Sequence, residues 1–463
     1  MSIYCVYNKI KTTRGIIIMA MKITKKYLKL PLNNSSEIKQ ILFKNSDGTV
    51  VQKIDAKLDF TSPTYYNYLN VSPYAGTFTD DKFDQLNEFP DTCSFYREIN
   101  RPQVRFSAKC GWLNDPNGLI YTGGMYHLFF QHNPAGNEWG NMHWGHAVSN
   151  DLMHWREIDI ALYPDDMGTM FSGSAIYDER NVTGLGYPIL LYYTAAGDPF
   201  TQCLAYSLDG GYTFTKYDKN PIIPHIIGGN RDPKVIWCDE LGKYTLSLYL
   251  DGNTFAIFTS ENLLDWEMIQ KIDMPAEAEC PDFYPLTIDG ERKWVLSGAS
   301  DYYFVGTIKD GQYVPEQPLL RFHNGDSQNY ASQTYSGTGN RIIRISWNRQ
   351  GVKNECFNMH MGFPVELSLK RLGDGYIHLS AAPIKEIIDL YTENGEGLNN
   401  GSFHIKGIDA DGKDFELIYD RTGYELFSND GCIYTAIPGT VDNVLNSMRT
   451  VTEVNNLKSV WNN

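Results

Sequence analysis

The sequence predicts an all-β protein: a five-bladed β-propeller with a smaller β-module on either side. Three observations carry that expectation. Helical periodicity is almost absent; apolar and polar residues instead alternate over short runs broken by Gly, Asn, Asp and Pro. A motif of Ser, then an Asn or Asp turn, then an aromatic recurs at 149–155, 207–214 and 260–266. Its repeats lie about 58 and about 53 residues apart, a length that suits four-stranded propeller blades. Finally, a chain of 463 residues exceeds one small core, so two or three domains are expected.

In chain order, residues 1–20 read as a start without structure. Their one apolar run, Gly-Ile-Ile-Ile-Met-Ala-Met at 15–21, is far too short for a membrane span. It also sits at the lower limit of a signal-peptide core and lacks a clear cleavage site. Translation is expected to begin at Met19 or Met21, and a cytoplasmic location is expected, with secretion the alternative if the true start differs. Residues 21–100 alternate in β fashion as far as Phe89, a sandwich-like module with a linker. Residues 101–371 hold the blades. There, Tyr-Thr-Gly-Gly-Met-Tyr-His-Leu-Phe-Phe-Gln-His-Asn at 121–133 reads as a turn and then an aromatic strand. Further strands are expected at 189–196, 243–250, 293–299 and 341–347. Residues 372–463 show short strands again, at 375–379, 402–408, 414–420 and 422–429, forming a second β-module packed on the propeller.

The formal net charge of -15 argues against nucleic acid, whose phosphates demand a basic face. No run of the sequence predicts membrane insertion. The eight cysteines, Cys5, Cys93, Cys110, Cys203, Cys238, Cys280, Cys356 and Cys432, show no zinc-ribbon spacing. They read mostly as free buried thiols.

The chemistry gathers on three acidic turns beside prolines: Trp-Leu-Asn-Asp-Pro-Asn-Gly at 112–118, Arg-Asp-Pro at 231–233 and Glu-Cys-Pro-Asp at 279–282. Each has a bland reading, because Asp-Pro and Asn-Gly are common turn dipeptides and Arg-Asp is a common ion pair. Together they supply Asp115, Asp232 and Glu279. Cleavage of a glycosidic bond uses one carboxyl group to attack the anomeric carbon and another to protonate the leaving oxygen. Arg231 beside Asp232 is expected to hold that carboxylate ionised, with a lowered pKa. A general acid needs a raised pKa, and Cys280, Pro281, Phe283 and Tyr284 give Glu279 apolar surroundings. Glu277, followed by Ala278, reads as the more exposed of the pair. Aromatics at Trp139, Phe171 and Trp347 fit flat sugar faces, although core packing accounts for most aromatics in such a chain. His143, His146 and His154 leave a zinc site as a minor alternative without a helix to support it.

These turns, in this order, make the chain resemble the fructan- and sucrose-cleaving enzymes of glycoside hydrolase family 32, the invertases, levanases and exo-inulinases. The resemblance runs from about Arg101 to about Arg371 and more weakly onward. It implies Asp115 as nucleophile, Asp232 as transition-state stabiliser and Glu279 as acid/base. It also implies substrate contacts from Asn114, Gln131, Trp139, Phe171, Ser172, Arg231, Tyr330 and Trp347. The family fold is a five-bladed propeller plus a β-sandwich, here with a tail shorter than usual after Arg371. The segment from Tyr27 to Gly76 looks like an extra β-module of some bacterial levanase-like members.

The expected function is therefore a retaining hydrolase that releases terminal β-D-fructosyl units from levan, inulin or sucrose. No metal or organic cofactor is expected, and the expected partner is the fructan or sucrose substrate. The alternatives are a fructosyltransferase of the same fold, a non-catalytic sugar-binding propeller, and a related furanosidase acting on arabinose, which the acidic turns disfavour.

Overall fold

The computed structural model describes residues 7–11, 17–89, 95–323, 325–352, 355–392, 401–409, 411–439 and 448–461. Five antiparallel sheets follow one another between Gly111 and Pro383, each starting with an inner strand. The inner strands are Gly111–Thr122, Thr169–Tyr177, Arg231–Cys238, Asp282–Ile288 and Asn329–Thr334. Each neighbours the next in cyclic order, and the fifth returns to the first. The ring closes through Phe357–Asn358, which follows the second strand of blade five and pairs in parallel with Gly111 and Trp112 of blade one. The result is the five-bladed propeller.

The recurring serine motif has a structural cause. Each copy is the turn from the third to the fourth strand of its blade. Ser149, Ser207 and Ser260 each donate a hydroxyl to the acidic or amide side chain two residues on. Asp151, Asp209 and Asn262 then accept the backbone N–H groups that follow. The residue three beyond each serine, Leu152, Gly210 or Leu263, has positive φ. Such Asx turns satisfy the backbone without a strand partner, which is why the motif survives in three blades with different flanks.

The blades are tied together near the axis by buried side chains. Ser174 of blade two donates to Pro233 O and accepts from Val235 N of blade three. Gln333 of blade five donates to Gly173 O and accepts from Leu119 N, reaching blades two and one. Lys234 of blade three pairs with Asp282 of blade four at 3.0 Å and donates to Thr334 O of blade five at 2.6 Å. Thr334 N in turn donates to Asp282.

Two flanking units pack on this ring. The first has two sheets, one with Tyr7–Lys11, Ile17–Lys22, Lys39–Lys44, Val50–Ala56 and Phe78–Asp80, the other with Tyr27–Leu32, Tyr65–Asn70 and Asp84–Leu86. They enclose their own core of Leu28, Leu30, Leu32, Phe43, Ile54 and Leu69. The expectation that residues 1–20 lack structure is corrected for 7–11 and 17–20. There, Tyr-Asn-Lys-Ile-Lys pairs with Ile-Ile-Met-Ala-Met, and Ala20 to Lys22 extends the pairing to Phe78–Asp80. Ile17 and Ile18 are β-branched, which favours a strand over an unstructured lead.

The second unit is one five-stranded antiparallel sheet among the described residues: Ser402–Asp409, Asp414–Asp420, Gly423–Ser428, Ile433–Pro438 and Met448–Asn456. Ile418, Phe427 and Tyr434 join the propeller core from this sheet. The boundary expected at Arg371 is also corrected. Val365–Arg371 pairs with Ile377–Pro383 in blade five, so 372–376 is a hairpin turn, not a linker. The expected strand at 375–379 belongs to that last blade strand. The segment 393–400 lies outside the described residues, as do Cys5 and Cys93. The other six cysteines are free thiols.

The C-terminal sheet is fixed by charge. Asp420 accepts from the backbone N–H groups of Gln103, Val104 and Arg105. The Arg105 guanidinium pairs with Glu425 at 3.0 Å, both side chains fully buried. Arg105→Met should therefore lower unfolding stability by about 3–5 kcal/mol, since removing one partner leaves a buried charge uncompensated. The double variant Arg105→Met/Glu425→Gln should recover most of that loss. Denaturant unfolding of the three proteins measures both effects; a single variant as stable as the double would refute the pairing argument.

Candidate active site

Three of the expected residues meet at the axis, each from a different blade. Asp115 lies on the inner strand of blade one. Its Oδ2 accepts from Ser172 Oγ of blade two at 2.6 Å, and its Oδ1 accepts from Asn114 Nδ2 at 3.2 Å. Asp232 lies on the inner strand of blade three. Its backbone N–H donates to Thr194 Oγ1, and its Oδ2 accepts from Cys280 N at 2.9 Å. Glu279 stands three residues before the inner strand of blade four, in the loop that leads into it. Arg231 donates to Glu279 Oε2 from Nη2 at 2.9 Å and from Nε at 3.2 Å, and Tyr330 of blade five donates to Oε1.

The backbone here is unusual. Asp232, Glu279, Cys280 and Ala331 all have φ between 44° and 67°. Side chains other than glycine rarely adopt that region, and each instance costs on the order of 1–3 kcal/mol unless the surroundings enforce it. The conformation turns Glu279 away from the strand direction and places the Cys280 N–H and thiol against the other two carboxylates. Cys280 Sγ lies 3.6 Å from Asp115 Oδ2 and 3.4 Å from Asp232 Oδ2.

Crowding sets the proton affinities. Burial, with a contribution from the Glu279 charge, pushes Asp115 up to about 6, against the hydrogen bonds from Ser172 and Asn114. Asp232 is pushed up to about 7, first by burial and then by the Glu279 and Asp115 charges, with Arg231 opposing. The expectation of a lowered Asp232 pKa is therefore reversed. Arg231 Nε is 3.7 Å from Asp232, and its close bonds go to Glu279 instead. Exposure also separates the carboxylates: the Asp232 side chain is 6% accessible and that of Glu279 is 30%.

The expected exposure of Glu277 relative to Glu279 is overturned as well. Glu277, expected to be exposed, is 1% accessible. Its carboxyl group accepts from the N–H groups of Ser300 and Tyr302, holding the turn between the second and third strands of blade four. Burial pushes its pKa up to about 7, against those hydrogen bonds. Glu279 is the carboxylate that faces the other two.

The remaining expected contacts divide. Asn114 accepts from Trp112 Nε1 at 2.8 Å, so it is fixed between Trp112 and Asp115. Gln131 is buried and donates to Met170 O. Trp347 lies edge-on to both Trp112 and Tyr330, with centroids about 6 Å apart. Phe171, next to Ser172, meets the Trp139 ring edge-on at 6.1 Å. Trp139 itself is 61% exposed, on the loop before strand His143–Ser149. The three histidines of the zinc alternative go separate ways: His143 to Asn141 O, His146 to His127, and His154 to Asp151. Among the described residues no group of three or more His, Cys, Asp or Glu side chains is set to hold a metal.

Sequence reasoning missed the Cys280 thiol as a contact of two carboxylates, and it missed the Lys234, Asp282 and Thr334 lock beneath them. The signal for Cys280 was its place between Glu279 and Pro281. Nothing local marked Thr334, whose partners are 100 and 52 residues away.

Comparison with known proteins bears on this geometry. Residues 105–380 match the glycosyl hydrolases family 32 N-terminal domain. The levanase of Bacillus subtilis (strain 168) is 36% identical over 328 residues, covering 64% of this chain and 48% of the levanase. An invertase of Schizosaccharomyces pombe is 35% identical over 286 residues, covering 55% of this chain and 49% of the invertase. The extracellular exo-inulinase inuE of Aspergillus niger is 34% identical over 343 residues, covering 60% of this chain and 64% of that enzyme. The chain thus spans between about half and just under two thirds of the length of these relatives. Among solved structures, the exo-inulinase from Aspergillus awamori superposes with a TM-score of 0.68 at 24% identity, over 79% of this chain and all of that one. That likeness supports the fold, a propeller with an appended β-sheet region. The family match covers more than half of the sequence and contains all three acidic turns, and by it the chain belongs to glycoside hydrolase family 32.

Proposed function

We propose that this protein is a retaining β-fructosidase that removes terminal β-D-fructosyl units from fructans or sucrose. The observation that carries the reading is the convergence of Asp115, Asp232 and Glu279 around Cys280 and Arg231. Relatives named levanase, invertase and exo-inulinase support the substrate class.

In this mechanism Asp115, aimed by Ser172 and Asn114, attacks C2 of the fructosyl unit. Glu279 delivers a proton to the leaving oxygen. Its greater accessibility suits a group that must meet first a leaving sugar and then a water molecule. Glu279 next takes a proton from that water, which attacks C2 and releases fructose with its configuration retained. Asp232, nearly buried and held by Cys280 N–H, accepts sugar hydroxyls and strengthens those bonds as charge develops. Tyr330 and Arg231 keep Glu279 over the site. Phe171 and Trp347 wall the fructosyl pocket, with the exposed Trp139 at its mouth, so attack is at chain ends.

Three outcomes test the proposal. Asp115→Ala and Glu279→Ala should each lower kcat by roughly three orders of magnitude or more with the fold intact, and Asp232→Asn by about 10²- to 10³-fold. Near-normal turnover by Asp115→Ala on sucrose, inulin and levan alike would remove it as nucleophile. Chromatography of early digests should give fructose as the sole product; early di- and trisaccharides would replace the closed pocket with an open groove.

The pH dependence follows from the raised carboxyl groups. Asp115 must be ionised to attack and Asp232 to stabilise developing charge, so kcat/KM should fall on the acid side with an apparent pKa between about 6 and about 7, a value belonging to the coupled carboxylates. For stability the sign is the reverse of the usual carboxylate case. A carboxyl raised in the folded state favours folding most below about 4, its unfolded value, and loses that contribution as pH rises through about 7. Asp232→Asn should therefore melt higher than the wild type at pH 8 and show little difference at pH 4. A melting difference independent of pH would contradict the shift.

A further inference from the structure

The N-terminal unit does more than pack beside blade one: it grips the loop that carries Trp139. Asn34 Nδ2 donates to Asn137 Oδ1 at 2.8 Å, and the Tyr65 hydroxyl lies 2.8 Å from the same oxygen. Lys57 pairs with Glu138 at 2.6 Å. Asn141 closes a reciprocal pair with the backbone of Asp55, donating to its carbonyl at 2.8 Å and accepting from its N–H at 3.0 Å. Its side chain thus acts as one more rung on the edge of strand Val50–Ala56. Asn137, fully buried, is also held from the other side, donating to Glu355 O and accepting through its own carbonyl from Asn358 Nδ2. Ala135 of the same loop is part of the hydrophobic core of the N-terminal unit.

Every residue from Asn137 to Asn141 except Trp139 and Gly140 is thereby pinned by a side chain, while Trp139 projects 61% exposed. Its ring lies against Phe171, whose neighbour Ser172 donates to Asp115. Trp139 also lines a cleft of about 260 Å³, walled by Asn34, Ile38, Asp55 and Lys57 of the N-terminal unit and by Glu138 of the loop. The full lining combines two aromatic rings, Trp139 and Tyr65, the aliphatic side chains Leu32 and Ile38, and several hydrogen-bonding groups. It is the composition that suits a sugar ring, with apolar C–H faces and a rim of hydroxyls.

We infer that the N-terminal unit completes the substrate site: it positions Trp139 and supplies the far wall of a subsite for sugar units beyond the one being cleaved. The inference rests on the fructosidase reading for the identity of the ligand, a neutral fructan chain. The physical logic is preorganisation. A loop fixed before binding loses less conformational entropy when the sugar arrives, and the gain appears in binding more than in the chemical step. Tyr65 and Asn34 border the cleft, and they act here as positioning residues through the loop they hold.

The test compares wild type, Tyr65→Phe/Asn34→Ala, Trp139→Ala and the triple combination on sucrose and on fructan oligomers of three or more units. The double variant should raise KM for the oligomers about three- to tenfold with kcat within about twofold, and affect sucrose less. In the Trp139→Ala background the same double change should add little, because both act through one ring. Hydrogen exchange at 137–141 should speed up in the double variant while melting stays close to wild type. Unchanged KM for the oligomers, an equal loss on sucrose, or full additivity with Trp139→Ala would each overturn the inference. Absence of activity in the wild type on every fructoside would instead defeat the fructosidase reading, and the hydrogen-exchange comparison would still decide whether the unit clamps the loop.

Discussion

The whole structure depends on closing a ring of five inner strands around an axis that is polar, not greasy. A propeller blade is a twisted sheet with apolar faces, and those faces stack on each other to form the clusters between blades. At the axis, however, the inner strands present backbone and side-chain polar groups to one another, and each needs a partner once water is excluded. Lys234, Asp282 and Thr334 supply that closure for blades three to five, Ser174 for blades two and three, and Gln333 for blades one, two and five. A buried ion pair is not by itself a large source of stability. Here it fixes how three strands are offset along the axis, and Asp232 and Glu279 lie within three residues of its two charges.

That placement explains why the site is expensive to build. Asp232 is two residues from Lys234, and Glu279 is three from Asp282. With the lock fixing both strands, the short connections between lock and site must bend sharply to aim the carboxylates inward, and they do so through left-handed backbone at Asp232, Glu279 and Cys280. Three carboxylates then crowd into one volume. Burial and mutual repulsion raise the proton affinity of Asp115 and Asp232, which destabilises the folded state near neutral pH and prepares groups for proton and charge chemistry. The strain and the raised pKa values have one origin, the meeting of several blades at a single point.

The flanking units use different means of attachment. The C-terminal sheet shares the propeller's main core and is locked by Asp420 and the Arg105–Glu425 pair, an arrangement that resists separation. The N-terminal unit keeps its own core and meets blade one largely through hydrogen bonds and ion pairs to two segments, the Trp139 loop and residues 159–164, the latter through Lys26 to Asp159 and Gln52 to Pro164. A polar, directional contact of that kind positions what it touches without merging the two cores, and one of the two segments it touches is the loop of Trp139.

Much of this was legible in the chain itself, and the reason is locality. The serine turns repeat because each satisfies its own backbone within a few residues, so blade number and spacing appear as a pattern in sequence. The three acidic turns are likewise short and self-contained, and their order was enough to suggest one site. What depended on distant partners was not legible. Glu277 and Glu279 look alike in sequence; only the turn at 298–302 shows that Glu277 is consumed by backbone N–H groups. Arg231 adjoins Asp232 along the chain, yet its guanidinium reaches across to Glu279, so the expected lowering of the Asp232 pKa became a rise. Nor did the hairpin at 372–376 or the strands before residue 20 declare themselves, since each is defined by a pairing partner elsewhere. Local hydrogen bonding wrote the repeat and the motifs into the sequence, whereas burial, charge coupling and the grip on Trp139 arise only when blades and flanking units, dozens to hundreds of residues apart, are brought within a few ångströms.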